Sequence, residues 1–228
     1  MFKEKKSTKI IIILLLLMGS SFLMCFGYIQ ANGIDITSGE SEILVLCADP
    51  GEIKGGVGGI DAIIILKIKN WQIDSVKPIF PGHVYHPTAK PPQDLKNHLI
   101  RHKINPDHYY LHDCFWEGDR QKGAKLAMET LEYNPQIKTD FVIIIKPQAV
   151  DAIIGAVGPV YVPGQGYVYG NSIELLRDEE DNQNISRRKS VKSLLDGIMT
   201  ESKDGSNYLS LIYTIAVEII KENIIIVI

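Results

Sequence analysis

The sequence predicts a mixed α/β fold, a mixed sheet with helices on both faces, and three observations point to it. Short runs rich in Ile, Val and Leu alternate with longer stretches whose apolar residues recur every three or four positions. Two of the early runs stand close enough to form a hairpin, which a purely parallel sheet lacks. An uncharged apolar stretch near the N-terminus sets one transmembrane helix ahead of the domain.

That stretch runs from Ile10 to Ile34 and opens with "IIIILLLLM". Lys3, Lys5, Lys6 and Lys9 precede it, and Asp35, Glu40 and Glu42 follow. The charge order puts the N-terminus in the cytoplasm and the domain outside. The expected organisation is a tail over 1–9, a signal-anchor over 10–32, a linker over 33–41 and an extracytoplasmic domain over 42–228. A cleaved signal peptide is the alternative; its site at "YIQA" is poor because Ile29 is not small.

"EILVLCA" (Glu42 to Ala48) is the first strand. "DAIIILKIK" (Asp61 to Lys69) and "QIDSVKPIF" (Gln72 to Phe80) make the hairpin around "NW". "DFVIIIK" (Asp140 to Lys146) is apolar almost throughout, as suits a strand covered on both faces. A helix over Arg120 to Tyr133 presents Ala124, Ala127, Met128 and Leu131, and Pro135 ends it. The next begins at Pro147, shows Val150, Ile153, Ile154 and Val157, and stops at Gly158. A third is capped by Ser186, with Val191, Leu194, Leu195 and Ile198 inward. A fourth is expected to bury Leu211, Ile212, Ile215, Ile219 and Ile220, and "NIIIVI" closes the chain as a strand.

The net charge of −3 offers no basic field for nucleic acid. Three cysteines do not make a disulfide framework; Cys47 and Cys114 read as small buried hydrophobes. "GEIKGGVGGID" (Gly51 to Asp61) follows a strand but runs into another strand, so it presents no helix N-terminus to a phosphate. Asp61, at the mouth of an apolar strand, is a carboxylate that must be exposed or paired, and it suits a hard cation such as Mg²⁺.

All six histidines lie between His83 and His112. His83 and His86 sit in "PIFPGHVYHPT", and their clustering admits a metal site. "LHDCFWEGD" brings His112 and Asp113, a possible acid/base or ligating pair, next to Trp116, a flat floor for a sugar or lipid. Asp119 reads as a helix cap. Arg187, at a helix start where a cation opposes the dipole, and Arg177 are candidates for an external anion.

From about Glu42 to Glu201 the chain resembles the LytR-CpsA-Psr family, and more closely an uncharacterised domain family of archaeal envelope proteins related to it. "GGIDAIIIL" stands where the first family has R-S-D-T and a strand, and "KPIFPGH" where it has a strand ending S-I-P-R-D. "TDFVIIIKPQAVDAIIGAVGPVYV" is similar to its strand, helix and following segment, and "SIELLRDEEDNQNISRRKSVKSLLDGI" to its arginine-bearing blocks. "HPT" and "LHDxxW" look like elements of the closer family, pointing to His86, His112, Asp113 and Trp116.

The resemblance implies a Mg²⁺-dependent phosphotransferase that moves glycopolymers from a polyprenyl-pyrophosphate carrier. It implies that Asp61 holds metal, with His83 in place of a second acid, and that Arg177 and Arg187 bind the anion. Two arginines of the pattern are replaced, by Gly59 and Gly82. The expected function is therefore binding of a polyprenyl-phosphate-linked glycan at the membrane by an altered or inactive transferase. The alternatives are a metal-dependent hydrolase using His83, His86, His112 and Asp113, and a non-catalytic envelope module.

Overall fold

The computed structural model describes residues 40–52, 57–69, 72–79, 81–134, 136–163, 166–171, 187–202 and 205–227. The expected membrane segment, the Ser186 cap and Arg177 lie outside these residues. No helix among the described residues is long and apolar enough to cross a membrane.

Five strands form the central sheet: β1 (Glu40–Asp49), β2 (Gly59–Lys69), β3 (Gln72–Ile79), β6 (Phe141–Ile145) and β9 (Ile224–Val227), in the order β3-β2-β1-β6-β9. β1 and β6 are parallel; every other pair is antiparallel. The β2–β3 hairpin is as the sequence predicts, and Pro78 is tolerated because β3 is an edge strand. The parallel pair is tied at its start by two bonds, Glu42 N–H to Asp140 Oδ2 (2.9 Å) and Asp140 N–H to the Glu42 carbonyl (2.8 Å).

The two-residue periodicity of β1 divides the sheet into two faces. Leu44, Leu46 and Ala48 face helix α2 (Arg120–Tyr133) and pack with Ile63, Ile65, Val142 and Ile144 against Ala124, Ala127 and Leu131. This is the dense core, and each large aliphatic side chain fully buried there contributes about 1.5–3 kcal/mol. Asp119 caps α2 as expected, accepting bonds from the backbone N–H of Gln121 and Lys122 at 3.0 Å. Gly123 is required where α2 crosses Phe115, because a Cβ there would lie 2.2 Å from the ring.

Helix α1 (Gln93–Arg101) and the short pair β4 (Tyr85–His86) with β5 (Tyr109–Tyr110) flank this core. A 3₁₀ turn over Leu111–Asp113 follows β5 and lies against β2.

The other face of the sheet looks toward α3 (Pro147–Val157), α4 (Arg187–Glu201) and α5 (Gly205–Ile220). α3 starts with Pro147 and ends at Gly158 with φ 93°, both as expected. Beyond it, β7 (Val160–Val162) and β8 (Gly166–Val168) make a small hairpin whose valines pack with Ile154, Val157 and Leu194. The fourth helix departs from expectation: Leu211 and Ile215 turn inward, but Ile212 and Ile220 are exposed. Those two are eight residues apart, close to two turns, so they share the outward side of α5. Its sequence is apolar on both sides, so periodicity alone did not say which side is covered.

Candidate functional site

The helices of the second face do not close onto the sheet. Between the two layers lies a cavity of about 960 Å³, at the upper end of the range that small-molecule sites use. Val45, Cys47, Ile64 and Leu66 form its sheet wall; Val150, Leu195, Ile198 and Leu211 represent the helix wall. The inward stripes expected for α3 and α4 therefore line a hollow as well as a core. At one end the lining turns polar, with Asp49, Glu52, Asp61 and His112 beside Pro81 and Gly82.

A β-bulge places Asp61 there. The β1–β2 register passes from Cys47↔Ala62 to Ala48↔Ile60 and skips Asp61. The extra residue breaks the alternation. Ile60 and Ile63 both point into the dense core, while Asp61 and Ala62 both line the cavity. This resolves the cost of a carboxylate in an apolar strand: the bulge turns it to the mouth.

His112 comes from the 3₁₀ turn. Its Nδ1 lies 3.0 Å from the Ile60 carbonyl, an acceptor only, so Nδ1 carries the proton and donates. Its Nε2 lies 3.6 Å from Glu52 Oε2 and 3.9 Å from Asp113 Oδ1. Glu52, Asp61 and His112 each offer one ligand atom, all within 4.8 Å of one another. Nε2 is the ring atom that faces Glu52 and Asp113. The set of two carboxylates and one imidazole fits a divalent cation. The imidazole shifts the preference toward Mn²⁺ or Zn²⁺ over Mg²⁺.

Gly59 makes room for the group. A Cβ at this position would lie 2.7 Å from His112 Cε1 and 2.8 Å from Glu52 Oε2. An acid and an imidazole occupy the space that a side chain at this position would take. Gly82 also lines the mouth, and a Cβ there would meet nothing within 4 Å. Among the described residues lining the cavity none is lysine or arginine.

Asp113 is buried beneath the ring, and burial pushes its carboxyl above the ordinary range against the opposing pull of His112 and His98. Cys47, in the sheet wall, is pushed up to about 12 by burial and then by Asp61. Burial also raises Cys114. Both are free thiols held neutral, as their reading as small hydrophobes expects.

The remaining sequence candidates lie elsewhere. His83 is exposed on the turn after β3 and is not one of the three grouped ligands. His86 is buried; its Nδ1 accepts the N–H of Ala89 (2.8 Å) and Thr88 (3.2 Å), and its Nε2 lies 3.6 Å from Glu129 of α2. Its ring meets Tyr133 of that helix edge-on at 5.4 Å, and Nε2 is buried without a hydrogen-bond partner among the described residues. Trp116 packs beside α1, donating to Asp94 Oδ2 at 2.7 Å and lying 5.0 Å from the His98 ring. Arg187 begins α4. Glu52 was not singled out from the sequence, because in a polar glycine-rich loop it looks like any solvated acid.

The mixed sheet, the helices on both faces and the hollow with a polar mouth define a LytR-CpsA-Psr-like fold. Protein gbs0355 from Streptococcus agalactiae superposes with a TM-score of 0.54 at 14% identity, over 85% of this chain and 70% of that one. TagV from Bacillus subtilis gives 0.51 at 15% identity, over 83% and 74%. The transcriptional regulator yvhJ from Bacillus subtilis gives 0.50 at 16%, over 82% and 69%. Identities this low establish likeness of fold alone. No curated protein matches the chain in sequence. The chain belongs to the family described as "Protein of unknown function (DUF4012)", which matches residues 38–180, more than half its length.

Proposed function

We propose that this protein is a membrane-anchored, extracytoplasmic domain of the cell envelope that binds a polyprenyl-phosphate-linked glycan. The prenyl chain occupies the apolar cavity. The phosphate sits at the mouth, where a divalent cation on Glu52, Asp61 and His112 neutralises its charge. The observation that carries this reading is the junction of a 960 Å³ apolar hollow with that cluster at one end. An acidic mouth repels a bare phosphate, so the cation is a condition of binding rather than an accessory. The resemblance to the LytR-CpsA-Psr pattern supports the choice of carrier. The loss of two arginines at Gly59 and Gly82 sets this mouth apart from an anion clamp that works by guanidinium groups.

The test is thermal unfolding of the full chain in lipid nanodiscs with a long-chain prenyl phosphate. The expected result is a rise in Tm that requires Mn²⁺ and disappears in Asp61→Asn. An equal rise with chelator present, or none at saturating ligand, contradicts the proposal.

The donor set favours a second reading, metal-assisted phosphoester hydrolysis. Water attacks phosphorus, the P–O ester bond breaks and the alcohol leaves with a proton. Release of phosphate from a prenyl phosphate supports it, and intact ligand after prolonged incubation with Mn²⁺ removes it.

A further inference from the structure

We propose that the tyrosine-rich end built by the β7–β8 hairpin and the first three turns of α5 rests on the surface of the bilayer that receives residues 10–32. This rests on reading residues 10–32 as a membrane segment, and it is independent of what the cavity holds.

The hairpin sorts its side chains by face. Val160, Val162 and Val168 pack inward, while Tyr161 and Tyr167, cross-strand partners with rings 5.5 Å apart, point out and are each more than half exposed. At the start of α5, Tyr208, Leu209 and Tyr213 are likewise more than half exposed, while Leu211 packs on the same valine cluster. Asn207 Nδ2 donates to the Val157 carbonyl at 3.1 Å, which fixes the start of α5 beside the chain that leads into β7. Hairpin and helix start are thus neighbours.

Charge is sparse in both: no Asp, Glu, Lys or Arg occurs within residues 152–173 or 205–217, in a chain that is 22% charged, and Glu201, Lys203 and Asp204 stand just before α5. The exposed side of a water-facing helix ordinarily carries charge. An uncharged surface of tyrosine and aliphatic side chains marks an interaction site. Tyrosine, with an apolar ring and a wet hydroxyl, is suited to the headgroup depth of a membrane.

The sequence says which partner is nearest. Asn32, the last residue of the signal-anchor, precedes Glu40 of β1 by eight positions, which extended chain spans in about 27 Å. The domain is therefore held close to the bilayer by its own chain. β1 enters at the end of the sheet remote from Asp49 and the mouth. α5 ends near that mouth, because β9 follows it and Ile224 pairs with Ile145. Its tyrosine-bearing start therefore lies at the other end of a helix about 24 Å long. The start of β1 and the tyrosine face both lie away from the mouth, leaving the cluster clear of the membrane.

The test places one copy of the full chain in each lipid nanodisc and compares Tyr213→Trp with the unsubstituted protein. With headgroup spin-labelled phosphatidylcholine, at least half of the added indole emission is expected to be quenched. His83→Trp, at the opposite end, is expected to lose less than a tenth. Tyr167→Trp repeats the result on the hairpin and guards against one misfolded variant. Quenching at 167 and 213 no greater than at 83 overturns the proposal. Indoles unquenched in single-copy discs but shielded from acrylamide when two copies share a disc assign the face to a second copy, and also overturn it. A chain that does not co-elute with the disc refutes the anchor; co-elution without quenching refutes the face alone.

Discussion

Gly59 carries no side chain, and His112 and Glu52 lie where one would be. Because the atoms met are the ends of side chains, Gly59→Ala is expected to change global stability by less than about 1 kcal/mol. It displaces the ligands, however, so Mn²⁺ affinity in calorimetric titration is expected to fall about 10- to 100-fold, the range for disturbing a metal's supporting shell. Unchanged affinity removes Glu52 and His112 from the ligand set. Asp113 makes a different prediction. Burial favours its neutral form in the folded chain, so folding takes up a proton in the window just above the ordinary carboxylate range. Stability is greatest below that window, falls as pH rises through it, and carries a constant penalty above. In urea unfolding across pH, Asp113→Asn is expected to abolish that fall, read as the difference from the unsubstituted protein. Parallel curves contradict it.

At the scale of elements, the two helical layers differ in what their leucines face. Leu131 of α2 is fully buried in the dense core, whereas Leu195 of α4 borders the hollow. Leu131→Ala is expected to cost about 2–5 kcal/mol, the usual range for a large-to-small change in a packed core. Leu195→Ala removes a side chain that already borders open space and is expected to cost less than about 1.5 kcal/mol by the same reasoning. Equal losses in denaturant unfolding would mean that the cavity is closed in solution. The contrast also shows what the sequence could and could not reveal. Runs such as "DFVIIIK" exposed the strands, because a strand covered on both faces needs apolar residues throughout. Asp119 and Pro147 marked their helix starts through local backbone chemistry. The stripes of α3 and α4 looked the same whether they met a core or a cavity, since both demand apolar side chains. Ile212 and Ile220 were expected inside for that reason, and the structure exposes them.

At the scale of the whole molecule, the site depends on distances the sequence does not encode locally. Asp61 and His112 are 51 positions apart and meet because the 3₁₀ turn lies against β2; Glu52 joins them from the turn that directly follows β1. Asp61 was visible early because an acid beside "AIIIL" is costly, and His112 because histidines are few. Glu52 was invisible without the fold. His86, alike in type, is buried apart from the mouth and accepts the backbone N–H of Thr88 and Ala89 in its own loop. The central claim is that one hollow takes an apolar chain while its polar rim takes the attached phosphate through a cation. Native mass spectrometry of the full chain with a prenyl phosphate tests this most directly, comparing the unsubstituted protein with Leu195→Trp, which narrows the hollow from its helix wall. The account predicts one prenyl phosphate per chain with Mn²⁺ present, and a lower occupancy in Leu195→Trp even though that variant still binds the ion. Equal occupancy of the two proteins by the lipid would contradict it.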